Sequence, residues 1–317
     1  MSNIQNVSVL GAGVLGGQIA WHTAYKGKNV VVYDIAADAL ARCQGAHAQY
    51  AEIYQKDVAA SKADIAATHG RLRYSSDLAD AVKQADLVIE AVPEVPAIKT
   101  EVYRKMAPLL QPHTLIATNS STLLARDFAT ATGRPDKYCA MHYANLIWIM
   151  NVIEVMAHPR TAKETLRQAT EFAIETGMVP IAVQKEQNGY VLNTWFVPLI
   201  TAAQTLVTNG VATPEDVDRT YLKVNAGASM GPMALIDMVG MKTFFDVLSY
   251  WGNERKDQQM LDNAAYLKKR FLDKGVMGLQ TGEGYYKYPH PAYQQPDFLA
   301  VPDLSRVEEI VARIPLG

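Results

Sequence analysis

Three polar clusters stand where apolar runs end, and together they hold the side chains needed to move a proton. Thr118-Asn119-Ser120-Ser121-Thr122 follows Leu115-Ile116-Ala117, His142-Tyr143-Ala144-Asn145 closes a second run, and Glu154 sits inside Val152-Ile153-Glu154-Val155. A carboxylate flanked by β-branched residues on a strand is costly to bury without a partner. The histidine leaving the preceding strand can supply one: the carboxylate would fix its tautomer and stabilise its imidazolium, which makes His142 a general base. A lone strand-end histidine is more often structural, and only this company singles out His142 among seven histidines. His22, His47, His69, His113, His158 and His290 lack it and read as surface or packing residues. Cys139 precedes His142 by three positions. On a continuous strand the two point to opposite faces, against a nucleophilic Cys–His pair. No spacing of His, Cys and carboxylate residues suggests a metal site.

Upstream, Gly11-Ala12-Gly13-Val14-Leu15-Gly16 directly follows Val7-Ser8-Val9-Leu10 and opens an amphipathic segment. That is the setting a dinucleotide-binding G-x-G-x-x-G turn requires. The first glycine permits the tight turn, the second lets backbone N–H groups approach a pyrophosphate, and the third allows close helix–strand packing. The helix N-terminus favours the anion. The next apolar run, Asn29-Val30-Val31-Val32-Tyr33, ends at Asp34, whose carboxylate can accept both ribose hydroxyls of an adenosine. It would repel a 2′-phosphate by roughly 4 kcal/mol for unit charges about 4 Å apart at an effective dielectric near 20. Ile35-Ala36-Ala37 brings no arginine to reverse that preference, so NAD(H) is expected over NADP(H).

These groups need elements that carry strand ends to one place. Val7–Leu10, Asn29–Tyr33, Leu87–Val92 and Thr114–Thr118 are nearly continuous apolar runs separated by helical patterns. Such runs suit parallel strands covered on both faces. Tyr138–Tyr143 and Asn151–Ala157 read as further strands extending the sheet at one edge. The expected fold class is α/β: a Rossmann-type doubly wound parallel sheet with a second, all-helical domain. The texture changes near Gln187, where Tyr190–Thr208 reads as one long apolar helix. Thr213 would cap a next helix with Pro214 in its first turn, and Gly231-Pro232 would open a third running Met233–Val239. We therefore expect a dinucleotide-binding domain over residues 1–186 and a helical domain over 187–317. The Pro- and Tyr-rich last 30 or so residues read as an extended tail packed onto something.

With 317 residues, 49% hydrophobic and 20% charged, the chain can bury a large core over two domains. Thirty basic residues balance thirty-two acidic ones, with no basic stripe, so neither a nucleic acid nor a membrane surface is an expected partner. Met1-Ser2-Asn3-Ile4-Gln5-Asn6 lacks the features of a signal peptide, and two cysteines form no disulfide framework; a cytoplasmic setting is expected.

In order along the chain, GAGVLG, Asp34, TNSST, HYAN, VIEVM, NGYVLN, GPMALIDMVG and TGEGYYKY resemble the 3-hydroxyacyl-CoA dehydrogenase family, most closely its diketoreductase-like branch. The resemblance covers roughly residues 5–288. It implies that His142 takes the 3-hydroxyl proton during oxidation and returns it during reduction, with Glu154 as orienting partner. It further implies that Ser121 hydrogen-bonds the reacting oxygen and that Asn193 steadies substrate across the domain cleft. Glu94 and Lys99, in PEVPAIK, match residues near the nicotinamide ribose, and Asn145 matches another nicotinamide-side contact. A small acyl substrate, a CoA thioester in the family's usual case, and a homodimer joined through the C-terminal domains are likewise implied. Leu146 replaces the family's usual proline, Thr194 an arginine and Gln280 a lysine. Leu146-Ile147-Trp148-Ile149 is expected to make the acyl pocket broad and apolar. Two alternatives follow. One is a reductase of β-keto or β,δ-diketo esters; the other is a non-catalytic, crystallin-like structural protein, which the retention of Ser121, His142, Glu154 and Asn193 together argues against.

Overall fold

The structure, a computed structural model, describes residues 2–212, 214–228, 230 and 232–316. Its strands are β1 (Asn6–Leu10), β2 (Asn29–Tyr33), β3 (Leu72–Ser75), β4 (Leu87–Glu90), β5 (Leu115–Thr118), β6 (Tyr138–Tyr143), β7 (Val152–Met156) and β8 (Val179–Ala182). They form one sheet in the order β3-β2-β1-β4-β5-β6-β7-β8. Every pairing is parallel except β6 with β7. Helices α1 (Val14–Tyr25), α2 (Ala37–Asp57), α3 (Lys62–Gly70), α4 (Leu78–Val82), α5 (Pro96–Met106) and α6 (Lys163–Glu175) lie between them.

Alternation along the strands feeds two cores. Leu87 and Ile89, Leu115 and Ala117, and Cys139, Met141 and Tyr143 join α1 and α6 residues on one face. Val88, Ile116, Tyr138 and Ala140 join Tyr103 and Met106 of α5 on the other. Burying both faces explains why β4, β5 and β6 carry no exposed position. Two strands escape the sequence reading. β3 (Leu72-Arg73-Tyr74-Ser75) and β8 (Val179-Pro180-Ile181-Ala182) are the two edge strands, where mixed polarity and a proline are tolerated because one side of the ladder is unpaired.

After β8 come α7 (Leu192–Thr208), α8 (Pro214–Asn225), α9 (Pro232–Val239), α10 (Met241–Arg255), α11 (Gln258–Arg270) and a short α12 (Val307–Val311). The cap expected at Thr213, and Gly231 of the Gly231-Pro232 helix opening, lie outside the described residues. The chain divides into two compact units, one running up to Ala202 and taking in Val301 onward, the other covering Ala203–Ala300. The tail is therefore more than an extended strap: Val307, Ile310, Val311 and Ile314 are buried in the first unit's core, with α12 against α6 and β8. The second unit has its own core of Met241, Leu248, Ala264, Leu267 and Phe271. There the buried Asp237 carboxylate accepts hydrogen bonds from the Tyr285 and Tyr286 amides and the Tyr288 hydroxyl, which joins the GPMALIDMVG and TGEGYYKY segments. Among the described residues no helix is long and apolar enough to cross a membrane.

Candidate active site

Polar side chains gather on one face of the sheet at the ends of β4 to β7. Glu90 pairs in register with Thr118, Thr118 with Ala140, and His142 with Glu154. The antiparallel β6–β7 register thus sets the imidazole directly opposite the carboxylate. His142 Nδ1 lies 2.8 Å from Glu154 Oε2 and both side chains are buried. A ring nitrogen facing a carboxylate carries the proton, which leaves the Nε2 lone pair free to accept one. The Ser121 hydroxyl sits 3.1 Å from Nε2 on the partly exposed loop after β5. The other Glu154 oxygen accepts from the amides of Val191 and Leu192, each at 2.8 Å, at the start of α7. The carboxylate is held at both oxygens and cannot swing from the imidazole without baring two helix-terminal N–H groups.

A second network lies beneath the Ser121 loop. Glu94 Oε1 accepts from the Ser120 hydroxyl, the Thr122 amide and hydroxyl, and the Leu123 amide. Lys99 Nζ lies 3.1 Å from Glu94 Oε2 and 2.8 Å from Glu90 Oε1. Burial opposes ionisation of Glu94, but the Ser120 and Thr122 donors and the Lys99 ammonium outweigh it and hold its pKa at about 2. Glu90 is fully buried and also accepts from the Val92 amide, Tyr103 and Thr118. Its four donors satisfy a charge that would otherwise be prohibitive to bury. The sequence reading passed over Glu90. Its setting after Leu87-Val88-Ile89 is the signal that singled out Glu154, a carboxylate in an apolar strand.

The remaining expected residues fall at the edges of this centre. Asn193 is half-buried in the first turn of α7, its amide bonded to Gly189 O, next to the Leu192 amide that holds Glu154. Asn145 is exposed just beyond β6 and its side chain makes no hydrogen bond among the described residues. Leu146 has φ +58° and donates its amide to Gln18 Oε1. Proline could adopt neither feature, so the departure at Leu146 is a change of backbone as well as of side chain. The expectation that Leu146–Ile149 lines an apolar pocket is corrected in part. Ile147 is fully buried in the sheet core, and the Trp148 ring packs on Tyr50 and Tyr54 of α2 with centroids 5.8 and 5.9 Å away. Leu146, Ile149 and Met150 stay exposed. Cys139, on the face opposite His142, has its thiol pushed up to about 12 by burial. His22, His47 and His158 are buried packing residues, each hydrogen-bonded to a backbone carbonyl. Among the described residues no cluster could hold a metal.

The glycine turn fits a dinucleotide. A Cβ on Gly11 would stand 2.3 Å from Ala91 O and one on Gly16 2.0 Å from Gly11 O, so these two serve chain packing. A Cβ on Gly13 would meet nothing within 4 Å: that glycine faces open space, where a phosphate needs it bare. Val14 and Leu15 begin α1, whose N-terminus has neither a side-chain cap nor an acidic residue in its first turn, leaving its N–H groups for an anion. Asp34 accepts from the Ala12 and Ala36 amides at 2.9 and 3.0 Å, which fixes its carboxylate while leaving lone pairs for a ribose. A groove of about 540 Å³ runs past Gly13 and Asp34 to Arg42, Cys43 and Tyr50 of α2. It opens where β1 lies between β2 and β4, the point at which the strand order reverses. Arg42 on this wall stands eight residues after Asp34, beyond the Ile35-Ala36-Ala37 stretch that adjoins it.

Residues 6–187 match the 3-hydroxyacyl-CoA dehydrogenase NAD binding domain, and residues 189–288 match the 3-hydroxyacyl-CoA dehydrogenase C-terminal domain. The mitochondrial hydroxyacyl-coenzyme A dehydrogenase of Sus scrofa is 31% identical over 90% of this chain and 91% of its own. A solved diketoreductase, described for substrate-directed dual catalysis of dicarbonyl compounds, is 46% identical with a TM-score of 0.66, over 91% of this chain and 100% of its own. The (S)-3-hydroxybutyryl-CoA dehydrogenase of Ralstonia eutropha is 29% identical with a TM-score of 0.64, over 91% and 100%. Both halves of the sheet-and-helix architecture are thus accounted for, and the chain belongs to the 3-hydroxyacyl-CoA dehydrogenase family of NAD-dependent oxidoreductases.

Proposed function

We propose that the protein catalyses reversible hydride transfer between NAD(H) and the 3-position of a 3-hydroxyacyl or 3-ketoacyl compound, with His142 moving the proton. The observation that carries this reading is the hydrogen-bonded line Ser121–His142–Glu154. In oxidation, neutral His142 accepts the 3-hydroxyl proton at Nε2 while Glu154 stabilises the imidazolium that forms. In reduction, the same nitrogen returns the proton to the forming alkoxide, and the Ser121 hydroxyl donates to the reacting oxygen. Bound NAD(H) would supply the hydride acceptor or donor. Gly11, Gly13, Val14, Leu15 and Gly16 would cradle the diphosphate, and Asp34 would take the adenosine ribose. Glu94, Lys99 and Asn145 belong to the nicotinamide side and Asn193 to the substrate. In this reading residues 1–186 bind the cofactor, while 187–317, less the tail from Val301 that packs into the first unit, serve assembly and substrate. The apolar side chains exposed on Trp195, Phe196, Leu206, Met238 and Val239 suit a homodimer, and two buried free thiols suit a reducing, cytoplasmic setting.

A second reading keeps this chemistry and replaces the CoA thioester by an uncharged β-dicarbonyl compound. The 46% identity to the solved diketoreductase, beside 31% to the hydroxyacyl-coenzyme A dehydrogenase of Sus scrofa, supports it. Steady-state oxidation of NADH with acetoacetyl-CoA and with ethyl acetoacetate tests both readings. Turnover of the ester favours the second, and turnover of the thioester alone, with free CoA competing, favours the first. Turnover of neither by protein that binds NADH contradicts both.

A further inference from the structure

We infer that Tyr190 is a positioning residue for the His142 imidazole, holding the ring at its working tilt. The two rings lie face to face with centroids 4.6 Å apart and planes 13° from parallel, both almost wholly buried. Nδ1 donates to Glu154 and Nε2 accepts from Ser121, two points on the imidazole's edge. With the Cβ–Cγ bond they set the ring plane, but torsion about that bond is opposed only by these two edge contacts. A flat partner against the face adds a further restraint on that torsion. The restraint matters most when a reacting oxygen takes Nε2 from Ser121 and leaves Glu154 as the only edge-on anchor.

The backbone is bent to deliver this ring. Gly189 has φ +79° and Tyr190 has φ +54°. Two successive left-handed residues are uncommon, and tyrosine does not favour the conformation. The next two amides, Val191 and Leu192, bind Glu154. One turn of chain therefore grips the carboxylate through its backbone and the imidazole through its side chain. The Tyr190 hydroxyl is buried and has no hydrogen-bond partner among the described residues. The ring face, not the hydroxyl, makes the contact.

The inference rests on His142 as the proton-transfer group, and the experiment separates the two. Wild type, Tyr190→Phe, Tyr190→Leu and His142→Ala are compared for kcat, for KM towards NADH, and for the NMR shift of the His142 ring protons. Tyr190→Phe should keep wild-type kcat and the upfield ring-current shift. Tyr190→Leu should lose that shift and lower kcat by about 10- to 100-fold at unchanged KM for NADH, the scale expected of a misplaced catalytic group. Should Tyr190→Leu fail to fold, Tyr190→Asn, which accommodates the left-handed backbone, is read the same way. Wild-type kcat in the ringless variant overturns the inference, as does a Phe variant as slow as the Leu one. Near-normal turnover in His142→Ala overturns the underlying reading instead, while the ring-current comparison still tests the stack.

Discussion

Glu154 and Glu90 are both buried carboxylates on apolar strands, yet they do different work. Glu154 divides its oxygens between an imidazole and the start of α7, whereas Glu90 anchors the buried Lys99. Replacing His142 by Ala should lower kcat by about 10²–10⁴-fold with NADH binding nearly intact. Glu154→Gln should slow turnover less, because a neutral partner still accepts the Nδ1 hydrogen bond but stabilises imidazolium poorly. Steady-state rates and NADH titration check both; a fast His142→Ala enzyme would move the acid–base role elsewhere. At the cofactor, Asp34 also holds the Ala12 amide, so a truncation to Ala would disturb the glycine turn as well as the charge. Asp34→Asn is the cleaner change. It should narrow the NADH-over-NADPH preference in kcat/KM by at least about tenfold, since even 1.4 kcal/mol of the charge repulsion is that large. An unchanged ratio would show that Asp34 does not read the ribose. At this scale the sequence was legible wherever a polar residue stood in an apolar run. Tyr190 was not, because an aromatic residue in an apolar stretch reads as core and its left-handed φ leaves no trace in residue type.

Helices α1 and α2 are joined by histidines that folding keeps neutral. His22 bridges Tyr54 on α2 and the Thr176 carbonyl after α6, and His47 bridges Gly17 O on α1 and Tyr74 on β3. Burial drives both pKa values from 6.5 down to about 4, although each ring's hydrogen bond to a carbonyl opposes the fall. Between pH 6.5 and 4 the unfolded chain binds these protons and the folded chain does not. Stability is therefore fully present above about pH 6.5 and falls as the pH drops through this window. At 1.36 kcal/mol per unit the loss is roughly 3 kcal/mol for each histidine. Thermal melts at pH 7, 5.5 and 4.5 should show Tm falling steeply, and a flat Tm would contradict the burial of the two neutral rings. Element by element, the central strands were legible because burial on both faces demands unbroken apolar runs. β3 and β8 were not, since an edge position relaxes that demand. Trp148 was misjudged for a related reason: its neighbours Tyr50 and Tyr54 lie on α2, about a hundred residues away in sequence.

At the level of the whole chain, the change from alternating strands to helices was plain near Gln187. The return of Val301 onward to the first unit was not, because it depends on α12 finding α6 and β8 across some 130 residues. Val224 and Val211 are 78% and 69% exposed, and Leu206 of α7 and Met238 and Val239 of α9 are exposed as well. So much apolar surface on helices is rare in a monomer, and light scattering at micromolar concentration should give twice the mass of one chain. A monomer mass would leave that surface without its proposed cover. The central claim, hydride transfer at the 3-position with the proton moved by His142, has one direct test. NADH deuterated at the transferring C4 position is supplied with whichever keto substrate turns over, in ordinary water, and the product is read by mass spectrometry and NMR. The account predicts one deuterium on carbon 3, a solvent proton on the new hydroxyl, and almost no product from His142→Ala. Product without deuterium on carbon 3, or equal product from the variant, would contradict it.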